Sequence, residues 1–162
     1  MKKKKFTKIR ENITEVEYQK LLTYLNGKED LTTNTKNNLR RTFILLYFTG
    51  MRVNEVKQLK VKDINTIFEK EELIIVTHKT RKERKLFFSK EAIKQIKKHF
   101  VFNDNSKDED FIITTKGNPL KTPNSSTFIA KVNSFIQEVL GHRYSSHSFR
   151  AGIITDMSKS IN

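Results

Sequence analysis

The 162-residue chain contains no cysteine, which removes a disulfide framework and a thiolate metal site and fits an intracellular, reducing compartment. Its four histidines, His78, His99, His142 and His147, show no HExxH or comparable ligand spacing, so no metal and no other cofactor is implied. No run approaches the ~18 apolar residues of a membrane span. The opening Met1-Lys2-Lys3-Lys4-Lys5 leads into polar sequence and not into an apolar signal core, so a soluble chain without a membrane partner is expected. Acidic residues are scarce as well: 18 Asp and Glu stand against 32 Lys and Arg, a net charge of +14 and a pI near 9.9. That excess exceeds what solubility needs and points to an anionic partner, nucleic acid first.

What is present supports one domain. With 36% hydrophobic residues in 162, the chain can bury one real core and not two comfortable ones. Residues 1–13 read as a basic tail and 14–162 as the domain. Thr14-Glu15-Val16-Glu17 has the pattern of a capping box, and Leu21, Leu22 and Leu25 after it give an amphipathic helix over residues 15–26. The run Leu39, Phe43, Ile44, Leu45, Leu46, Tyr47, Phe48 is apolar on nearly every face, as a central core helix requires, and Gly50 suits its stop. A shorter helical pattern of Val53, Val56 and Leu59 follows at once, so Thr49-Gly50-Met51-Arg52 is a tight bend between helices.

The period then changes. Leu73-Ile74-Ile75-Val76-Thr77 and Lys85-Leu86-Phe87-Phe88 flank a charged turn and predict a hairpin, with a further short strand over 64–68 able to pair with it. Helix returns over 90–102 behind Ser89, and again from Thr122-Pro123 to Gly141, where Phe128, Val132, Phe135, Ile136 and Val139 recur at three- and four-residue steps. Ser145 or Ser146 can cap a last helix with His147 and Arg150 on its first turn and Ile153, Ile154 and Met157 toward the core. Tyr47 reads as core, Tyr18 and Tyr24 as helix-face residues and Tyr144 as a loop residue. The fold class is α+β, mainly helical, with one small antiparallel sheet.

One constellation carries chemistry. Arg52 precedes His147 and Arg150 by 95 and 98 residues. Cleaving a phosphodiester without a metal requires charge compensation on two non-bridging oxygens, a proton donor for the departing oxygen, and a nucleophile. Two guanidinium forks from separate elements, Arg52 and Arg150, suit the first task. His147, three residues before Arg150 on the same helical face, would project with it. Glu55, three residues after Arg52, could fix the Arg52 guanidinium by a charge-assisted pair. Lys57, Lys60 and Lys62 in one basic stretch, and Arg81, Lys82 and Arg84 in another, are candidates for DNA phosphates.

The stretch Thr49-Gly50-Met51-Arg52-Val53-Asn54-Glu55-Val56-Lys57-Gln58-Leu59-Lys60-Val61-Lys62-Asp63-Ile64 resembles the first-arginine box of the tyrosine recombinases, or phage-type integrases. His147-Ser148-Phe149-Arg150 resembles their His-x-x-Arg box, at an interval typical of the family's DNA breaking-rejoining catalytic domain. The resemblance implies that Arg52 and Arg150 bind the scissile phosphate, that His147 hydrogen-bonds it, and that Glu55 supports them. It also implies a hairpin lysine as general acid for the leaving 5′ oxygen, Lys79 first and Lys82 next. In the family the nucleophile is a tyrosine some thirty residues beyond the second arginine; here it is expected outside the chain, and Tyr18, Tyr24, Tyr47 and Tyr144 all precede Arg150.

Ala151 stands where members often have His, and only about 13 residues precede the first helix, where members usually carry a DNA-gripping domain. The implied function is site-specific recombination or integration through a 3′-phosphotyrosine in the complete enzyme. Double-stranded DNA is the expected partner, and a synaptic tetramer is expected only for the complete protein on DNA. The expected location is intracellular, with DNA, in the cytoplasm or nucleoid if the source is bacterial. The 162 residues alone should be inactive. The competing reading is a non-catalytic DNA-binding module, a decayed or regulatory relative; a type IB topoisomerase shares the same basic groups and ranks below both.

Overall fold

The computed structural model describes residues 11–77 and 80–149. Helix α1 (Glu15–Gly27) starts where the Glu17 carboxylate accepts the Thr14 N–H at 3.1 Å and the Thr14 hydroxyl closes onto the same group. These contacts satisfy donors that a helix start leaves open. Helix α2 (Thr33–Thr49) is capped by the Thr32 hydroxyl, which accepts the Thr35 N–H, and it buries Leu39, Phe43, Ile44, Leu45 and Leu46. It ends at Gly50, whose φ of 68° lies in the left-handed region and whose N–H returns to the Leu46 carbonyl at 2.9 Å. A residue with a Cβ is strained there, so this glycine sets the angle at which the chain enters helix α3 (Val53–Lys57). Helices α1, α3 and α5 (Lys90–His99) all pack on α2, which makes it the centre of the core.

The strand expected over 64–68 is instead part of helix α4 (Val61–Lys70). The Asp63 carboxylate accepts the Lys60 N–H at 2.8 Å, and Val61, Ile64 and Ile67, three residues apart, bury one helical stripe. Capping and a three-residue step outweigh the β-branched composition that suggested a strand. Glu71 then ends the helix in a left-handed conformation at φ 57°.

The hairpin forms as expected. Strands β1 (Glu72–Val76) and β2 (Glu83–Phe87) pair antiparallel, with Leu73 opposite Leu86 and Ile75 opposite Arg84 on the inward face. Ile74, Val76 and Phe87 lie on the outward face and are exposed. The turn is tied by Thr77 N–H to the Lys82 carbonyl at 3.0 Å and Arg81 N–H to the Thr77 carbonyl at 2.9 Å.

Helix α5 stops before residue 102 because Phe100 leaves helical geometry, and the rings of Phe100 and Phe102 stand 5.6 and 5.5 Å from the guanidinium of the half-buried Arg41. Helix α6 (Ser125–Leu140) starts later than Thr122-Pro123 because Asn124 supplies the cap, its Oδ1 accepting the N–H groups of Ser126 and Thr127. A last helical turn opens at residues 147–149, where Ser145 Oγ accepts the His147 N–H at 3.3 Å and Phe149 stacks near Phe43. Residues 153–157 of the expected last helix lie outside the described residues. Tyr18 lies on the inward face of α1: it is 2% exposed, with its ring stacked on Tyr47 at 4.0 Å.

Candidate phosphate site

Arg52 is the residue from which α3 departs, with extended backbone at φ −84° and ψ 152°. Its backbone N–H donates to Glu55 Oε1 at 2.8 Å, and its side chain is exposed. The bend that Gly50 permits aims Arg52 into a cleft of about 480 Å³. Its walls include Arg52, Glu55 and Gln58 from the bend and α3, Val76 and Thr77 from the hairpin, and Ser146 and His147 from the last turn. Residues 95 positions apart in the sequence thus share one concavity. Ser146 is held there by its N–H on Asn133 Oδ1 at 2.8 Å, which anchors the turn carrying His147 to α6.

Lys79 and Arg150 lie outside the described residues. Lys82 is exposed at the hairpin turn, where its carbonyl accepts from Thr77. Arg81 beside it is also exposed, in a left-handed conformation at φ 49°.

Glu55 supports Arg52 in a different way from the expected pair. Its carboxylate holds the Arg52 backbone N–H and the guanidinium of Arg84, whose Nη2 donates to Oε1 at 2.9 Å. The physical reason is geometric: a first-turn carboxylate folds back onto the free amide at the helix start, while the exposed Arg52 side chain lines the cleft. The remaining oxygen of Glu55, Oε2, is buried without a partner among the described residues.

Several phosphate candidates have partners of their own within the fold. Lys57 is buried, its Nζ donating to Ser125 Oγ at 2.8 Å, and desolvation lowers its pKa; it points between α3 and α6 and not outward. Arg84 is half-buried and paired with Glu55. Lys60 and Lys62 each meet Glu109 at 2.7 Å. Hydrogen bonds from these two ammonium groups bring the Glu109 pKa to about 2. The single Glu109 carboxylate offsets one of these two positive charges, and Arg81 and Lys82 are the basic-stretch cations left exposed without an ion pair among the described residues.

The Arg84 position was readable from a two-residue period, since Arg84 and Leu86 share the inward face of β2. Its partner was not. Among the described residues, no group of three or more His, Cys, Asp or Glu side chains is placed to hold a metal ion, and no helix is long and apolar enough to cross a membrane.

Comparison with known families settles the kinship of this architecture: the phage integrase family profile matches residues 11–161. The chain belongs to the phage integrase family. Solved structures show the same fold at low sequence identity. XerA recombinase superposes with a TM-score of 0.67 at 14% identity, over 100% of this chain and 54% of its own. XerH site-specific recombinase, solved in a post-cleavage complex with a palindromic difH substrate, gives 0.64 at 19%, over 94% of this chain and 43% of its own. The Tn1549 transposon integrase, in complex with a circular intermediate DNA, gives 0.62 at 15%, over 96% and 55%. The integrase-family chain thus spans about half the length of these recombinases and has the fold of their catalytic domain. No curated protein matches it by sequence.

Proposed function

We propose that this integrase-family chain is the phosphate-binding part of an enzyme that cuts and rejoins DNA at specific sites. The observation that carries the reading is the cleft in which Arg52, His147 and the base of the hairpin meet. In this reading the Arg52 guanidinium, joined by Arg150, bonds the non-bridging oxygens of the scissile phosphate and compensates the charge that grows there in the pentavalent transition state. His147 hydrogen-bonds the same phosphate and assists proton transfer.

A tyrosine oxygen attacks phosphorus, the bond from phosphorus to the 5′ oxygen breaks, and Lys79, or Lys82 in its place, gives that oxygen a proton. The product is a 3′-phosphotyrosyl link and a free 5′ hydroxyl, with no metal or nucleotide consumed. The tyrosine is assigned to another segment, because none of the four present lines the cleft. Tyr18 and Tyr47 stack on each other, Tyr24 lies edge-on to Phe135, and Tyr144 is half-buried. Duplex DNA is the partner, and two DNA sites would be brought together by a tetramer of the complete protein.

The test is a suicide duplex, nicked so that the cleaved end diffuses away. The 162 residues alone should form no covalent adduct, and the same chain joined to a tyrosine-bearing C-terminal segment should form one. Arg52→Ala should abolish the adduct while leaving duplex affinity within a few fold, since many other cations contribute to binding. Equal loss of adduct and affinity would remove Arg52 from the scissile phosphate, and DNA binding with no adduct in either form would leave a non-catalytic binding module.

A further inference from the structure

Arg84 occupies an inward position of β2, opposite Ile75 and on the same face as Leu86. A guanidinium turned toward a core is costly unless it is paired, and the group that meets it is Glu55, whose side chain is 8% exposed. One oxygen does two things: Glu55 Oε1 accepts Arg84 Nη2 at 2.9 Å and the Arg52 backbone N–H at 2.8 Å. The hairpin and the bend are therefore joined through a single atom.

Arg84 Nε and Glu55 Oε2 are both buried without partners among the described residues, so this pair is made at one point where a guanidinium and a carboxylate could meet at two. A buried pair of this kind is weak evidence for net stability; what it fixes is position. Val76 and Thr77, which line the cleft with Arg52, sit beside this junction: Val76 is registered opposite Glu83, the neighbour of Arg84. Thr77 in turn closes the turn onto Lys82.

We infer that Arg84 is a positioning residue of the phosphate site, which through Glu55 sets the spacing between the hairpin turn and the Arg52 bend. The inference rests on the proposed function only for what that spacing serves, the delivery of a hairpin lysine to the phosphate held at Arg52. The coupling itself is independent of DNA.

Amide hydrogen exchange on the 162-residue chain, read by NMR, tests the coupling. In Arg84→Ala the Arg52 and Thr77 amides should exchange at least tenfold faster, while amides within α2 such as that of Leu45 change less than twofold. Millimolar methylguanidine should restore the slow rates, which it would not do for a general loss of packing. Arg84→Lys, with one donor for the one oxygen used, should stay within threefold of the parent. Arg84→Met, which keeps the stem and removes the donors, is the deciding variant if Arg84→Ala does not fold, and unchanged Arg52 exchange in it would then overturn the inference. Unchanged Arg52 exchange in a folded Arg84→Ala would overturn it outright.

A second arm measures affinity for a random duplex against salt. Arg84→Ala should keep the parent's salt slope. A slope smaller by about one would make Arg84 a direct phosphate contact and overturn the positioning role. Failure of the parent chain to bind duplex DNA at any salt would sink the proposed function and leave the exchange result standing, so the two ideas fail separately.

Discussion

Replacing Lys57 by Met separates the sequence reading of this lysine from its place in the fold. Lys57 is 7% exposed, and among the described residues its ammonium has one polar partner, Ser125 Oγ at 2.8 Å, and no ion pair to a carboxylate. Replacing a buried cation that has only this hydrogen bond among the described residues by an apolar side chain of similar length gains roughly 1–3 kcal/mol. Losing the hydrogen bond to Ser125 costs about 1 kcal/mol, and a flexible methionine keeps most of the packing of the lysine stem. Lys57→Met should therefore be more stable by about 1 kcal/mol at pH 7, a rise of about 2–4 °C in Tm for a chain of this size.

The pH dependence has a definite sign. Burial lowers the Lys57 pKa below its ordinary 10.5, so between the folded and unfolded values the unfolded chain binds more protons and the parent gains stability as pH rises. The variant lacks that gain, and its advantage should shrink between pH 7 and pH 10. Urea unfolding at the two pH values measures this, and duplex binding against salt measures the competing idea. Lower stability of Lys57→Met at pH 7, or a salt slope reduced by about one, would refute the reasoning and return Lys57 to the DNA-facing surface.

Gly50→Ala forces a Cβ into a left-handed φ of 68° and should cost about 1–2 kcal/mol, seen as a Tm lower by several degrees; an unchanged Tm would mean that the bend before Arg52 tolerates another geometry. Glu109 has its pKa lowered from 4.5 to about 2 by Lys60 and Lys62, so its contribution is present above pH 4.5 and is lost as pH falls through 2. Glu109→Gln should therefore show a smaller fall in urea midpoint from pH 5 to pH 3 than the parent, and an equal fall would mean that the exposed pair is screened to insignificance. Duplex binding by the parent should weaken steeply from low to physiological salt, and a flat response would argue against a phosphate-dominated surface.

The helices that build the core were legible because each carries its own instructions. The three- and four-residue steps of α6, the all-round apolar run of α2 and the glycine after it are local patterns that no distant neighbour reverses. Where local signals conflicted, as over 64–68, the cap from Asp63 and the stripe of Val61, Ile64 and Ile67 prevailed over β-branched composition. The charged residues behaved differently. Lys57 lies between two helices, Lys60 and Lys62 share Glu109 nearly fifty positions away, and Arg84 meets a carboxylate 29 positions earlier. None of these pairings leaves a trace in spacing.

The amino-acid order alone determined a basic, mainly helical fold with a hairpin, and it singled out Arg52 and His147 as candidates, because periodicity, caps and motif spacing are short-range properties of the chain. Only the tertiary structure decided which cations are available to a ligand and which are held by a carboxylate or sealed in the core. A side chain's direction follows from its own backbone, but the charge or the void that it meets there belongs to a segment brought in from elsewhere.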